Sequence, residues 1–133
     1  MNDATPAVEI RDLHKRFGHL EVLKGISLTA RPGDVVAVIG GSGSGKSTML
    51  RCINMLETPS AGDIAIHGET YAMRPTRDGG LEPADRRQLQ RIRAQLGMVF
   101  QNFNLWPHRT VLGNVIEVPV QVLGISRDEA VAR

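Results

Sequence analysis

At 133 residues, with 41% apolar and 23% charged residues, the chain has the composition of one globular domain, which excludes a disordered or collagen-like polymer. Sixteen basic against fourteen acidic residues leave a formal charge of +2, too small a bias to call for a nucleic-acid partner. The single cysteine, Cys52, excludes an intrachain disulfide, residues 1–8 lack the features of a signal peptide, and no apolar run reaches bilayer-spanning length, so membrane association is expected only through a protein partner.

In chain order, Val8 and Ile10 alternate with polar residues, as do Ile26 and Leu28, with turn residues at Gly18-His19 and at residues 31–34. This period of two predicts two half-buried strands. Residues 35–39 form a continuous valine-rich run bounded by glycines, the pattern of a central strand covered on both faces in a parallel sheet. Met49, Cys52, Ile53 and Leu56 then recur at helical spacing, which predicts an amphipathic helix ended by residues 58–62. Ile64 and Ile66 return to strand alternation in a hairpin-like region, and residues 74–80 read as an exposed polar loop. Leu89, Ile92 and Leu96 mark a second helix closed by Gly97, followed by a short buried strand at residues 98–100 and then Gln101. Thr110 caps a third helix from Val111, Pro119 interrupts it, and Ser126 with Glu129 forms a capping box for a fourth.

The run Gly40, Gly41, Ser42, Gly43, Ser44, Gly45, Lys46 and Ser47 satisfies G-x-x-x-x-G-K-[ST] between a predicted buried strand and a predicted helix. Triphosphate oxygens need many donors in a small volume, and glycines let backbone N–H groups approach without side-chain clashes. The helix that follows adds the positive end of its dipole. In such a loop Lys46 reaches the β- and γ-phosphates, the Ser47 hydroxyl coordinates Mg2+, and Thr48 adds a backbone donor. The bland alternative, a flexible glycine turn, gives no reason for Lys46-Ser47 at that spacing. The expected ligand is therefore MgATP. His14, His19, His67 and His108 have no second His or Cys at metal-ligand spacing, so no transition-metal site is expected. Arg86, Arg87, Arg91 and Arg93 read as the solvated side of the second helix.

Residues 11–18 (Arg-Asp-Leu-His-Lys-Arg-Phe-Gly), the phosphate loop and Met98-Val99-Phe100-Gln101 occur in the order found in ABC transporter ATPases, which the chain resembles along essentially its whole length. The resemblance implies an α/β fold: a P-loop NTPase core with an N-terminal antiparallel β subdomain, cut before the signature motif and the second acidic strand. It implies a β subdomain and phosphate-loop core over residues 7–101 and the start of a helical subdomain over residues 102–133. Phe17 falls where that family stacks an aromatic on adenine, with Val22 as the apolar residue beside the base; taken alone, a phenylalanine at that place is more often core. Gln101 matches the glutamine that contacts Mg2+ and the attacking water. Residues 102–112 are similar to the polar amino acid uptake branch, and the insert at residues 74–81 with residues 84–89 resembles the histidine and basic amino acid permease ATPases in particular. Phe103, Leu105 and Trp106 are then either a docking patch for a partner helix or a buried satellite cluster. Gly113 departs from the glutamate common in the family, which puts the stability of the helix there in doubt.

By the same resemblance, the expected partners are transmembrane permease subunits, a second ATPase subunit in a dimer and, indirectly, a periplasmic substrate-binding protein. The expected place is the cytoplasmic face of the inner membrane, held there peripherally. The parent protein is expected to be an ATPase energising amino acid import. Within these residues no Asp-Glu pair ends a second apolar strand and no Leu-Ser-Gly-Gly-Gln signature occurs, so binding of MgATP without appreciable turnover is expected. A soluble P-loop ATPase or kinase, and a non-functional truncated gene product, remain open as alternatives.

Overall fold

The computed structural model describes residues 5–133, which form two compact units divided after Gly97. In the first unit, strands β1 (Val8–Phe17), β2 (Leu20–Ala30), β3 (Ala61–Ile66) and β4 (Glu69–Thr70) make one antiparallel sheet in the order β2-β1-β3-β4. The alternation at Val8/Ile10 and Ile26/Leu28 thus belongs to paired strands, with Ile10 opposite both Leu28 and Ile64. A bulge interrupts β1 at Asp12, whose φ is 47° and whose N–H donates to Ser27 Oγ at 3.0 Å. The bulge depends on Gly62 in β3. A Cβ there would lie 2.3 Å from the Asp12 carbonyl oxygen, at a φ of 91° that L side chains rarely adopt.

Helix α1 (Lys46–Ile53) packs one stripe on this sheet, burying Met49 and Cys52 among Ile10, Leu13, Leu23, Ile64 and Ile66. The predicted stripe is shortened. The helix stops at Ile53, so Leu56 is half exposed, and Met55, with φ at 56°, turns into the core in its place. Burial pushes the Cys52 thiol up to about 11, consistent with an inert core residue. Helix α2 (Arg86–Arg93) begins at Asp85, whose carboxylate accepts from the N–H groups of Arg87 and Gln88 at 2.8 and 3.2 Å. It buries Ile92, with Leu89 and Leu96 packed beside it, and ends at Arg93 rather than at Gly97.

Four side chains clamp the carbonyl end of α1 and the turn after it. Tyr71 Oη donates to the Ile53 carbonyl at 3.1 Å, Arg93 to those of Asn54 and Met55, and Lys15 to that of Thr58 at 2.7 Å, while Glu57 pairs with Lys15 at 3.3 Å. Arg93 therefore leaves the solvated face expected for it. The carbonyls that a helix leaves unpaired at its C-terminus attract a guanidinium, and this one is partly buried against them.

Two predicted strands are absent. Residues 35–39 and 98–100 carry no strand, and Val35, Ile39 and Val99 are each more than nine-tenths exposed. A parallel strand exists only through hydrogen bonds to its neighbours, and no described strand pairs with either segment. Conversely, the polar stretch at residues 74–80 is not simply a loop, because its flanks form a hairpin of β5 (Met73–Pro75) and β6 (Leu81–Pro83), joined by an Arg74–Glu82 ion pair at 2.7 Å.

In the second unit, Thr110 Oγ1 accepts from the Gly113 N–H at 3.0 Å and opens α3 (Val111–Gln121), while Ser126 Oγ accepts from the Glu129 N–H at 3.2 Å and opens α4 (Arg127–Ala132). Pro119 does not interrupt α3. It lies in the last turn, where the chain is already ending, and the Val122 N–H still reaches the Val118 carbonyl at 2.9 Å. Asn114 ties the preceding loop to the helix: its Oδ1 accepts from the Trp106 N–H at 2.7 Å, and its Nδ2 donates to the Trp106 and Thr110 carbonyls at 3.2 and 2.9 Å.

Two outcomes follow from this packing. Because the valine-rich run is solvent-facing, residues 1–133 expressed alone are expected to self-associate, and size-exclusion chromatography with a sharp, reversible melt of a monomer would contradict that. His14 faces Glu21 through Nδ1 at 3.0 Å and Asp12 through Nε2 at 3.2 Å; the hydrogen bond to Glu21, above all, raises its pKa from the ordinary 6.5. A raised folded-state value stabilises the fold fully below 6.5, and that stabilisation is lost as pH climbs through the raised value. Proton NMR titration of His14 is expected to give a midpoint above 6.5 that falls back in Glu21→Gln.

Candidate functional site: a phosphate loop at the start of α1

The glycine-rich loop leads directly into α1, with Gly45 as its N-cap at φ 92°. That left-handed residue lets the loop lie against β2: a Cβ at Gly45 would meet the Val22 and Leu23 side chains at 3.1 and 3.0 Å and the Val22 carbonyl at 3.3 Å. Val22 is thereby beside the loop. Gly43, at φ 79°, turns the loop's tip, and the Ser44 N–H closes back on the Gly41 carbonyl at 3.3 Å. Beneath the loop, Leu23, Ile26, Val38 and Met49 line an apolar hollow of about 180 Å3.

Lys46 supplies the charge. Its Nζ donates to the carbonyls of Gly40 and Gly41, each at 2.7 Å, and approaches Ser44 Oγ at 3.4 Å. All three oxygens are neutral, so none of them supplies the counter-charge that an incoming anion would bring. The first turn of α1 carries no side-chain cap and no acidic residue, so the unpaired N–H groups of that turn remain available as well. Ser47 is exposed at the second helical position and Thr48 is partly buried at the third. An uncapped helix start, flanked by glycines and by an ammonium with no carboxylate partner among the described residues, fits a polyphosphate. The Ser47 hydroxyl, free of a cap role, fits a Mg2+ ion carried with it.

Phe17 ends β1, opposite Leu20, at the tip of the same hairpin that carries Val22. It is 45% exposed, and the Lys15 ammonium sits over one face of its ring, 4.7 Å from the centroid. Phe17 is thus not a core residue. The Lys15 contact was not foreseen from the sequence, although residues two apart on a strand share a face and the alternation contains the signal. Gln101 lies in the second unit, exposed in a segment without helix or strand. Phe103, Leu105 and Trp106 follow it and are exposed, not a buried cluster; Arg109 stacks 5.7 Å from the Trp106 ring and pairs with Glu117 at 2.6 Å. Among the described residues, no group of His, Cys, Asp and Glu is arranged to hold a metal ion by itself.

The ABC transporter profile matches residues 23–132, a span that includes the glycine-rich loop and α1. The chain belongs to the ABC transporter family. Over 126 residues it is 60% identical to the arginine/ornithine transport ATP-binding protein AotP of Pseudomonas aeruginosa, covering 95% of this chain and 50% of that protein. It is 58% identical over 123 residues to the histidine/lysine/arginine/ornithine transport ATP-binding protein HisP of Escherichia coli, covering 92% and 48%. A dimeric ATP-binding cassette, MJ0796, in a post-hydrolysis state bound to ADP and Pi, shares the fold with a TM-score of 0.74 at 33% identity, over 94% of this chain and 53% of that one. The chain spans about half the length of the curated relatives it matches.

Gly45→Ala tests the loop geometry without any ligand. The left-handed conformation costs an L residue about 1–2 kcal/mol, so amide exchange at Met49, whose N–H donates to the Gly45 carbonyl at 2.8 Å, is expected to quicken by about tenfold. Unchanged exchange would show that α1 does not need this conformation to start.

Proposed function

We propose that this chain is the nucleotide-binding portion of an ATPase subunit that energises import of polar, most specifically basic, amino acids through an ABC transporter. The observation that carries the reading is the Lys46 ammonium, held by neutral oxygens at an uncapped helix start. The relatives named for arginine/ornithine and for histidine/lysine/arginine/ornithine transport support the substrate class.

In this reading, residues 40–48 bind the phosphates. Backbone N–H groups from Gly41 to Thr48 surround the oxygens, and Lys46 exchanges its carbonyl partners for the β- and γ-phosphates. The Ser47 hydroxyl would hold Mg2+, whose charge would neutralise part of that on the phosphates. Phe17 stacks on the base with Val22 at its edge. These residues position and neutralise a triphosphate, but they contain no carboxylate placed to orient an attacking water, so residues 1–133 bind MgATP without turning it over. Hydrolysis belongs to the whole subunit, working as a dimer with transmembrane permease subunits and supplied by a periplasmic binding protein. No helix among the described residues is long and apolar enough to cross a membrane, which accords with a subunit held peripherally at the cytoplasmic face by its permease. The exposed Phe103, Leu105 and Trp106 are the docking patch for that permease.

Lys46→Ala is expected to weaken MgATP binding more than about thirtyfold, the loss of roughly 2 kcal/mol of charge-assisted hydrogen bonding. Isothermal calorimetry on the full-length protein reads this directly, and unchanged affinity would remove the assignment.

A further inference from the structure

We propose that Lys15 is a positioning residue for the nucleotide base: it closes one face of the Phe17 ring and holds the ring so that its other face receives the base. The inference rests on the reading of Phe17 as the base-stacking residue and adds what sets that ring in place.

Lys15 is an unusual lysine for a β-strand. Its side chain is only 12% exposed, and its ammonium has three partners at once: the Thr58 carbonyl at 2.7 Å, the Glu57 carboxylate at 3.3 Å and the Phe17 ring at 4.7 Å from the centroid. A lysine serving solubility would extend into water; this one is drawn inward along the strand face it shares with Phe17. Glu57 and Thr58 follow α1, whose first residues are the phosphate loop's Lys46 and Ser47. One ammonium thus fastens the aromatic ring on β1 to the turn behind the phosphate-binding helix.

Two effects on a base follow. A ring fixed before the ligand arrives loses less rotational freedom on binding, which favours association. The cation also draws π density toward the closed face, and the open face then repels the electron-rich face of a purine less. Both effects act on the base and neither acts on the phosphates, which are bound by different atoms. The ligand chemistry implied is a planar base on a polyphosphate, held by stacking rather than by hydrogen bonds to its edge.

The test separates base from phosphate in the full-length protein. MgATP and magnesium tripolyphosphate, which lacks a base, are titrated at about 0.15 M salt, where long-range charge effects are screened beyond roughly 8 Å. Lys15→Met is expected to weaken ATP about three- to fivefold and leave tripolyphosphate unchanged, with Lys15→Arg restoring ATP. Equal weakening of both ligands would mean a merely structural lysine and overturn the proposal. So would unchanged ATP affinity in Lys15→Met alongside a loss in Phe17→Ala. Should Phe17→Ala itself leave ATP binding intact, the base-stacking reading falls and takes this one with it. If Lys15→Met does not fold, Glu57→Gln, which loosens the ammonium without touching β1, takes its place: weaker ATP with unchanged tripolyphosphate supports the proposal, and any other result overturns it.

Discussion

The contact between Gly45 and β2 governs the rest of the molecule's chemistry. A glycine with positive φ lets the loop close against Val22 and Leu23 without strain or crowding, and that closure sets where α1 begins. With the start fixed, Lys46 falls within reach of the Gly40 and Gly41 carbonyls, and the unpaired N–H groups of the first turn are left without a side-chain cap. A cap side chain or an acidic residue in that turn would have satisfied those groups internally. Neither is present, so the helix start is left electropositive.

The opposite end of α1 is treated in the reverse manner. Its carbonyl end meets Tyr71, Arg93 and Lys15, donors from three separate stretches of chain. The helix is short, and a helix of this length is held by its surroundings rather than by its own propensity. Packing of Met49 and Cys52 on the sheet fixes its rotation, and the donors at its carbonyl end fix its position along the axis. A loop whose helix could slide would present its amides to the phosphates at varying depth. The anchoring at one end and the binding proposed at the other would therefore be parts of one device.

Much of this was legible from residue pattern. The phosphate loop is a fixed spacing of residue types with a local cause, and the caps at Thr110 and Ser126 are likewise decided by a few adjacent residues. The β1 and β2 alternation was readable because each strand has one buried face. What failed was chiefly what depends on a distant partner or on an unforeseen backbone turn. Residues 35–39 have the composition of a buried parallel strand, but no composition supplies the neighbours that make one, and the described chain offers none. Leu56 fits a helical stripe, yet the left-handed turn at Met55 decides which side chain enters the core. Arg93 looked like one more solvated charge because the carbonyls it meets lie almost forty positions earlier. Lys15 stands apart from these failures. Its partnership with Phe17 was within reach of simple strand alternation and was missed because a lysine is ordinarily assigned to water.

Gly62 gives the fold an unguarded point. It lies in β3, outside the glycine-rich loop, yet the β1 kink closes over it with no room for a methyl group. A side chain there would force β3 to slip or β1 to straighten, and either shift moves Ile64 relative to the floor on which Met49 and Cys52 rest. Variation at this one site would thus unseat α1 from below while leaving the glycine-rich loop's own sequence untouched.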